Sequence, residues 1–389
     1  MKLAFITPRF LPEGVVGGAE TLIRDLARTS AEAGHEVHLL TTCATDHFTW
    51  KNNREPGQES FEGMTIHYFR VNEDRNVEMF LRIQDQIDKK RPVSLQDQQR
   101  WADNNVCSRE LSDWLRTKGA SFDAILVGPY LFGITLESAK IHPEKTWLIP
   151  CLHDEPFAVL DIVADMFRRV KGCLFNAAPE KALAMRLYSL DQNCGDVVGM
   201  AMDPFEADAN AFSSKHALDT PYVLYCGRQE GGKNTPLLFD YLNTYIDRRQ
   251  GAVKLVLTGS GDVPVPDRLR PNLINLGFVS EQEKRDVMAG AGVFIHPSTN
   301  ESFGIVLLEA WLAGTPALVH DCGEVLRWQC EHSRGGLWFR YYPEFEAMLD
   351  RLLEDKKLNH TLGENGRQYV VRTYARSAIA DRLFKVLKG

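Results

Sequence analysis

No run in the 389-residue sequence approaches the roughly 18 consecutive apolar residues that a membrane-spanning helix needs. The opening MKLAFITPRFLPEG has an apolar stretch of only five residues, Leu3 to Thr7, and no small-residue cleavage site. No secretory signal is expected. Excess positive charge is also lacking. A net charge of −7 argues against a protein that binds nucleic acid over its whole surface. It leaves room for a local basic site for one diphosphate. None of the eight cysteines forms a Cys-x-x-Cys pair, and several lie in apolar, strand-like segments. Buried, reduced thiols in a cytosolic protein are expected. The eleven histidines form no cluster with metal-ligand spacing. No Asp-x-Asp follows an apolar strand, as a metal-dependent sugar transferase would require. The second strand pattern ends LLTTCAT without the acid that a dinucleotide fold places against a ribose, so NAD binding is discounted. Low-complexity segments and short tandem repeats are missing too.

What is present reads as two domains. The length is too great for one ordinary core and suggests two of roughly 150–200 residues. A 44% apolar and 25% charged composition is that of a globular chain. Strand KLAFITP, the glycine-rich loop PEGVVGGAE, helix TLIRDLARTSAEAG and strand HEVHLLTT make a βαβ unit, with Gly34 ending the helix. FEGMTIHYFR reads as a further strand. Residues 77–118 carry two helical patterns broken at Arg91-Pro92. FDAILVGP, TWLIPCLHD, GCLFNAAP and DVVGMAMD continue the alternation. The segment 201–221 is polar and proline-punctuated and reads as a linker. YVLYCGR, AVKLVLTGSG, NLINLGFV, GVFIHPS and PALVHD then restart it. One final helix is expected from about Gly363 onward. Strands alternating with helices imply parallel, doubly wound sheets. The expected division is 1–205 and 206–370, with a last helix near 371–389 returning to the first domain.

In such sheets ligands bind outside the carboxyl ends of strands. Gly17-Gly18, His153, Gly227-Arg228, Gly259-Ser260-Gly261 and Glu301 all sit there. Two facing domains would bring these ends to one cleft. In YCGRQEGGKN, Arg228 and Lys233 flank a turn into a helix, an arrangement that suits a diphosphate. Taken alone, the stretch more often reads as a solvated charged loop. In ESFGIVLLE, Gly304 permits a sharp turn, and the amides of Phe303, Gly304, Ile305 and Val306 open the helix toward an anion. Glu301 precedes them. Glu309 follows among apolar neighbours, where a carboxylate is costly to bury without hydrogen bonds. It can accept from vicinal hydroxyls, or be a paired helix acid. Gly14, Gly17 and Gly18 can cradle phosphate or make a turn. His153, beside Asp154, can be oriented to donate to a substrate hydroxyl, or be structural.

The combination resembles the retaining glycosyltransferases of family 4, with the two-domain α/β fold known as GT-B. The resemblance rests on ITPRFLPEGVVGGAE, HD at 153–154, GRQEGGKN at 227–234, LTGSG at 257–261, LGFVS at 276–280 and ESFGIVLLEAWLAGTP at 301–316. These run in family order and spacing, and the two glutamates seven residues apart are the most specific part. Residues 47–120 carry little of it. One departure lies in HDCGEVLRW, where Gly323 directly precedes Glu324 and the family often has two glycines, two residues and then glutamate.

The resemblance implies a nucleotide-diphosphate sugar as donor, UDP- or GDP-linked, and a saccharide or lipid-linked saccharide as acceptor. It implies that Glu301 contacts the donor sugar, Glu309 the ribose, and Arg228 and Lys233 the diphosphate. Main chain near Phe278 and Val279 would meet the base, and Gly259 lies in the same donor half. Gly17 and Gly18 would approach the phosphate or acceptor side, and His153 the donor sugar. No cofactor or metal is expected, because Arg and Lys take the metal's place. Bacterial relatives in that family often build lipopolysaccharide, capsule or exopolysaccharide. Aromatic and basic residues of the first half offer contacts to an acceptor at the inner face of a membrane. The competing readings are a sugar-nucleotide epimerase or phosphorylase on the same architecture, and a non-catalytic sugar-binding subunit.

Overall fold

The protein is described here from a computed structural model, which covers residues 1–12, 17–216, 218, 220–250 and 253–388. The chain divides into two compact units, Met1–Ala201 with Arg376–Gly389, and Met202–Ala375.

Among the described residues the first unit is built on eight strands: β1 Lys2–Ile6, β2 Glu36–Thr42, β3 Gly57–Phe61, β4 Met64–Phe69, β5 Ala124–Val127, β6 Thr146–Leu148, β7 Gly172–Phe175 and β8 Gly195–Val197. Their order is β3-β4-β2-β1-β5-β6-β7-β8. Every pairing is parallel except the β3/β4 hairpin. The stretch 61–70, expected as one strand, is therefore the turn and second arm of a hairpin. Glu62 and Gly63 both take positive φ, the pairing of a tight two-residue hairpin turn. Central β1, from Leu3 onward, and β5 are continuously apolar because helices cover both faces of the sheet. Ile6, Leu40, Ile125, Val127, Leu148 and Phe175 lie in one core. Residues 77–118 form three helices, not two: Val77–Asp88, Leu95–Asn104 and Arg109–Lys118. The extra break comes from capping. Ser108 accepts from the Leu111 amide and starts a new helix, as Ser94 does with Asp97.

The described residues of the second unit form six strands: β9 Tyr222–Cys226, β10 Lys254–Thr258, β11 Leu273–Asn275, β12 Val293–His296, β13 Ala317–His320 and β14 Gly336–Phe339. They lie in the order β11-β10-β9-β12-β13-β14, all parallel. β14 is an addition to the sequence reading. It is short and opens on glycine, and a Cβ at Gly336 would come 2.6 Å from the Ala317 carbonyl. The presumed linker contributes a helix, Ala211–Lys215, whose buried Phe212 packs edge-on against Tyr222 at 5.2 Å.

The expected single terminal helix is two, Lys356–Thr373 and Arg376–Lys388. Tyr374 causes the break. Its carbonyl accepts from the Met202 amide, and its buried ring stands edge-on to Phe303 and Tyr369. The chain re-enters the first unit at Arg376, which pairs with Asp25 at 2.9 Å on helix Gly18–Glu32. Among the described residues no helix is long and apolar enough to cross a membrane.

Candidate functional site

In the second unit, β9 ends at Cys226 and Gly227 follows with φ of 147°. Arg228 then points outward, 62% exposed, with Glu230 at 3.3 Å. A single helical turn, Gly231–Lys233, and the left-handed Asn234 carry the chain into helix Thr235–Arg248. The Asn234 side chain donates to the Pro297 carbonyl at 3.1 Å, which ties this turn to the loop after β12. Lys233 reaches that same loop. Its Nζ lies 2.6 Å from Oε1 of Glu301, and the two side chains are 21% and 15% exposed. Behind them His296, at the end of β12, brings Nε2 to 3.6 Å from the same oxygen. His296 is buried, and its Nδ1 has no partner among the described residues. Burial pushes its imidazole down to about 4, with Glu301 pulling upward and Lys233 downward. At neutral pH it is therefore an uncharged ring.

Gly304 sits at φ 85°, a left-handed conformation that suits glycine, and starts helix Ile305–Leu312. Its carbonyl accepts from the Leu307 and Leu308 amides, so the amides of Ile305 and Val306 occupy the first helical positions. The Phe303 ring is buried against Tyr374. Glu309 is the lone acid of this apolar helix, and it pairs with Lys284 at 3.0 Å. Burial raises its carboxyl above the ordinary range while Lys284 works against that shift.

The loops after β9, β10 and β11 are joined by a residue that the sequence reading passed over. Gln229 is buried. Its amide N–H donates to the Ser260 carbonyl at 2.7 Å, and its side chain donates to the Gly259 carbonyl and to Asn275. Gly259 has φ 105°, and a Cβ there would come 2.3 Å from the Gly227 carbonyl. Phe278, 72% exposed, and Val279 lie just before Ser280, the cap of helix Glu281–Gly290 that carries Lys284.

In the first unit, His153 lies five residues beyond the end of β6. The carboxylate beside it is Glu155, at 3.5 Å from Nδ1, not Asp154. Asp154 turns outward to Arg186 at 3.1 Å. Glu155 in turn accepts from the Tyr130 hydroxyl at 2.6 Å. The loop leading to His153 is clamped by Glu180, a fully buried acid that accepts from the amides of Leu152 and Asn176. Burial pushes the Glu180 carboxyl up to about 8 against those amides. Gly17 caps helix Gly18–Glu32, and a Cβ on it would meet the Glu20 carboxylate at 2.4 Å. Glu20 is buried against Arg9 at 3.3 Å. Gly14 lies outside the described residues. Among those described, no group of three His, Cys, Asp or Glu is placed to hold a metal.

Residues 206–369 match the family model described as glycosyl transferases group 1. Along its whole length the chain is 23% identical to an uncharacterized glycosyltransferase of Methanocaldococcus jannaschii, covering 98% of that protein. It is 31% identical to the phosphatidyl-myo-inositol mannosyltransferase of Mycobacterium tuberculosis, over 47% of this chain and 52% of the relative. The alignment thus spans about half of that enzyme. The solved structure of Anabaena HepE in complex with UDP and glucose superposes with a TM-score of 0.70 at 17% identity, covering 100% of both chains. The fold is GT-B.

Together the matches support a glycosyltransferase. The matched segment of the GT-B chain encloses Arg228, Lys233, Gly259, Phe278, Val279, Glu301, Phe303, Gly304, Ile305, Val306 and Glu309, and leaves out Gly17, Gly18 and His153. Sequence reasoning missed Gln229, Lys284, His296, Glu155 and Glu180. Only Glu155 had a usable signal, as the next acid after the His-Asp pair.

Proposed function

We propose that the chain is a retaining, metal-independent hexosyltransferase that moves a hexose from a UDP- or GDP-sugar to a hydroxyl of a saccharide or lipid-linked acceptor. The observation that carries this reading is the Lys233–Glu301 pair. A cation from the turn after β9 and a carboxylate from the turn after β12 meet at 2.6 Å beside the start of a helix. A phosphate takes the cation, and the sugar hydroxyls take the acid. The relatives agree with this reading, since one is a phosphatidyl-myo-inositol mannosyltransferase and a structural neighbour was solved in complex with UDP and glucose.

In this reading Arg228 and Lys233 hold the diphosphate, together with the amides of Ile305 and Val306. Lys233 leaves Glu301 for the phosphate as the donor arrives, and Glu301 then accepts from the sugar hydroxyls. Glu309 accepts from the ribose hydroxyls. The backbone at Phe278 and Val279 meets the base, and Gly259 lets the loop after β10 come close. The bond between the anomeric carbon and the phosphate oxygen breaks, and that oxygen keeps the electron pair. The acceptor oxygen bonds to the same face, and its proton passes to the leaving phosphate. Fixed cations and helix amides stabilise the charge as it develops, which is usually the largest single contribution to such catalysis. His153, oriented by Glu155, donates to a sugar hydroxyl. Gly17 and Gly18 keep the start of the first unit's long helix open to phosphate or acceptor.

The test is product stereochemistry. The protein, freed of metal by chelation, is incubated with UDP- and GDP-hexoses and saccharide or lipid-linked acceptors. The expected product has the donor's anomeric configuration. An inverted product would contradict retention, and activity that returns only with added divalent metal would contradict metal independence.

A further inference from the structure

Glu309 sits among buried apolar neighbours, past the half-buried Ile305 and Val306 that open its helix. Leu307, Leu308, Ala310, Trp311 and Leu312 are all buried. A carboxyl in such a place becomes neutral unless a cation stands beside it. Lys284 is that cation. Its Nζ lies 3.0 Å from Oε1 of Glu309 and 2.8 Å from Oε2 of Glu281. Burial opposes the lysine charge, yet Glu309 and Glu281 together hold its pKa above the ordinary value. The helix that carries it is fixed at its start, where Ser280 accepts from the Glu283 amide. The charged and titratable groups that face Glu309 are Lys284, Glu281 and Arg285 from that helix, and the buried Cys226 thiol at the end of β9. Lys284 engages Oε1 alone. An ionised carboxylate offers about four lone-pair sites, so acceptor capacity remains on the second oxygen.

We propose that Lys284 is a positioning residue for nucleotide recognition: it keeps Glu309 ionised and anchors one oxygen, so that the other accepts from the two ribose hydroxyls. The inference rests on the ribose reading of Glu309 given above. Both hydroxyls of a vicinal diol can donate to a carboxylate, whereas a protonated carboxyl gives up an acceptor site to its own O–H. Without Lys284, Arg285 is the cation left to oppose the burial of Glu309, its hydrogen-bonded counter-charge is gone, and its pKa rises. Nucleotide affinity then falls as the pH falls, because the binding form is the ionised one.

The experiment is calorimetry on the full chain with UDP and, separately, GDP, at about pH 6 and about pH 8.5. Wild type, Lys284→Met, Lys284→Arg and Glu309→Gln are compared, each variant referred to wild type at the same pH. Lys284→Met should bind whichever nucleotide the wild type binds roughly tenfold more weakly at the lower pH and recover most of that loss at the higher. Lys284→Arg should follow wild type at both. Suppose instead that Glu309→Gln weakens binding while Lys284→Met matches wild type, or is weakened equally at both pH values. The role of Lys284 is then overturned and the ribose reading stands. If Glu309→Gln binds like wild type, the ribose reading falls, and the inference with it. Should Lys284→Met fail to fold, Lys284→Gln is read in the same way.

Discussion

Lys233 holds Glu301 at 2.6 Å, a cation from the turn after β9 paired with an acid from the loop after β12. If the donor diphosphate draws the lysine away, removing it should slow turnover far more than it weakens the fold. Lys233→Ala is expected to lower sugar-nucleotide turnover by roughly 10²–10³, the usual cost of deleting a donor to a developing oxyanion. Steady-state kinetics checks this, and activity within about threefold of wild type would rule the assignment out. Glu301 and Glu309 should separate cleanly. Glu301 precedes the helix start and Glu309 lies a full turn inside it. Glu301→Gln should leave free-nucleotide affinity intact but lower sugar-nucleotide turnover by more than about tenfold, as loss of a charged hydrogen bond predicts. Calorimetry paired with kinetics decides it. A Glu301→Gln protein that loses nucleotide affinity would mean that the donor lies the other way round.

The elements around these residues are held by backbone geometry that only certain side chains permit. Gly304 shows this most directly. Its φ of 85° is left-handed, and a Cβ there would stand 2.6 Å from Leu326. Gly304→Ala should cost at least about 1 kcal/mol from backbone strain, with the clash adding to it. A lower urea midpoint measures the cost, and an unchanged midpoint would show that this turn is not constrained as described. The strand-to-helix turns were legible in the sequence because glycine, proline and charge cluster at the ends of apolar runs. That pattern pointed to Arg228, Lys233 and Glu301, which lie on the turns after β9 and β12, and the apolar neighbours of Glu309 pointed to it. Lys284 was not legible, because it stands 25 residues before its partner and only the adjacency of two helices brings them together. Gln229 looked like an ordinary loop amide until the loops after β10 and β11 closed around it. Asp154 was read as the partner of His153 because it is adjacent in sequence. The fold turns it outward and brings Glu155 in. The break at Tyr374 is likewise a tertiary effect, since the Met202 amide takes a carbonyl that a continuous helix would have used.

For the whole molecule, two buried groups set opposite pH responses. His296 has a folded-state pKa of about 4, below its ordinary 6.5. Unfolding there takes up protons, so its share of stability is full above about 6.5 and is lost as pH falls toward 4. Glu180 runs the other way. Its folded value of about 8 exceeds the ordinary 4.5. Its share is full below about 4.5 and is lost as pH rises through 8. Glu180→Gln should therefore flatten the decline in stability between about pH 5 and 8, whatever constant offset the lost acceptor adds. Urea denaturation across that range reads the slope, and an unchanged slope would contradict the buried-acid account.

In the proposed reaction the second unit opens a sugar–diphosphate bond with its own cations. The most direct measurement is nucleoside diphosphate release from a panel of UDP- and GDP-hexoses by chelated protein, wild type beside Lys233→Ala. The account predicts release from at least one donor by wild type, and its near-complete loss in the variant. No release from any donor, or release that Lys233→Ala leaves unchanged, would contradict it.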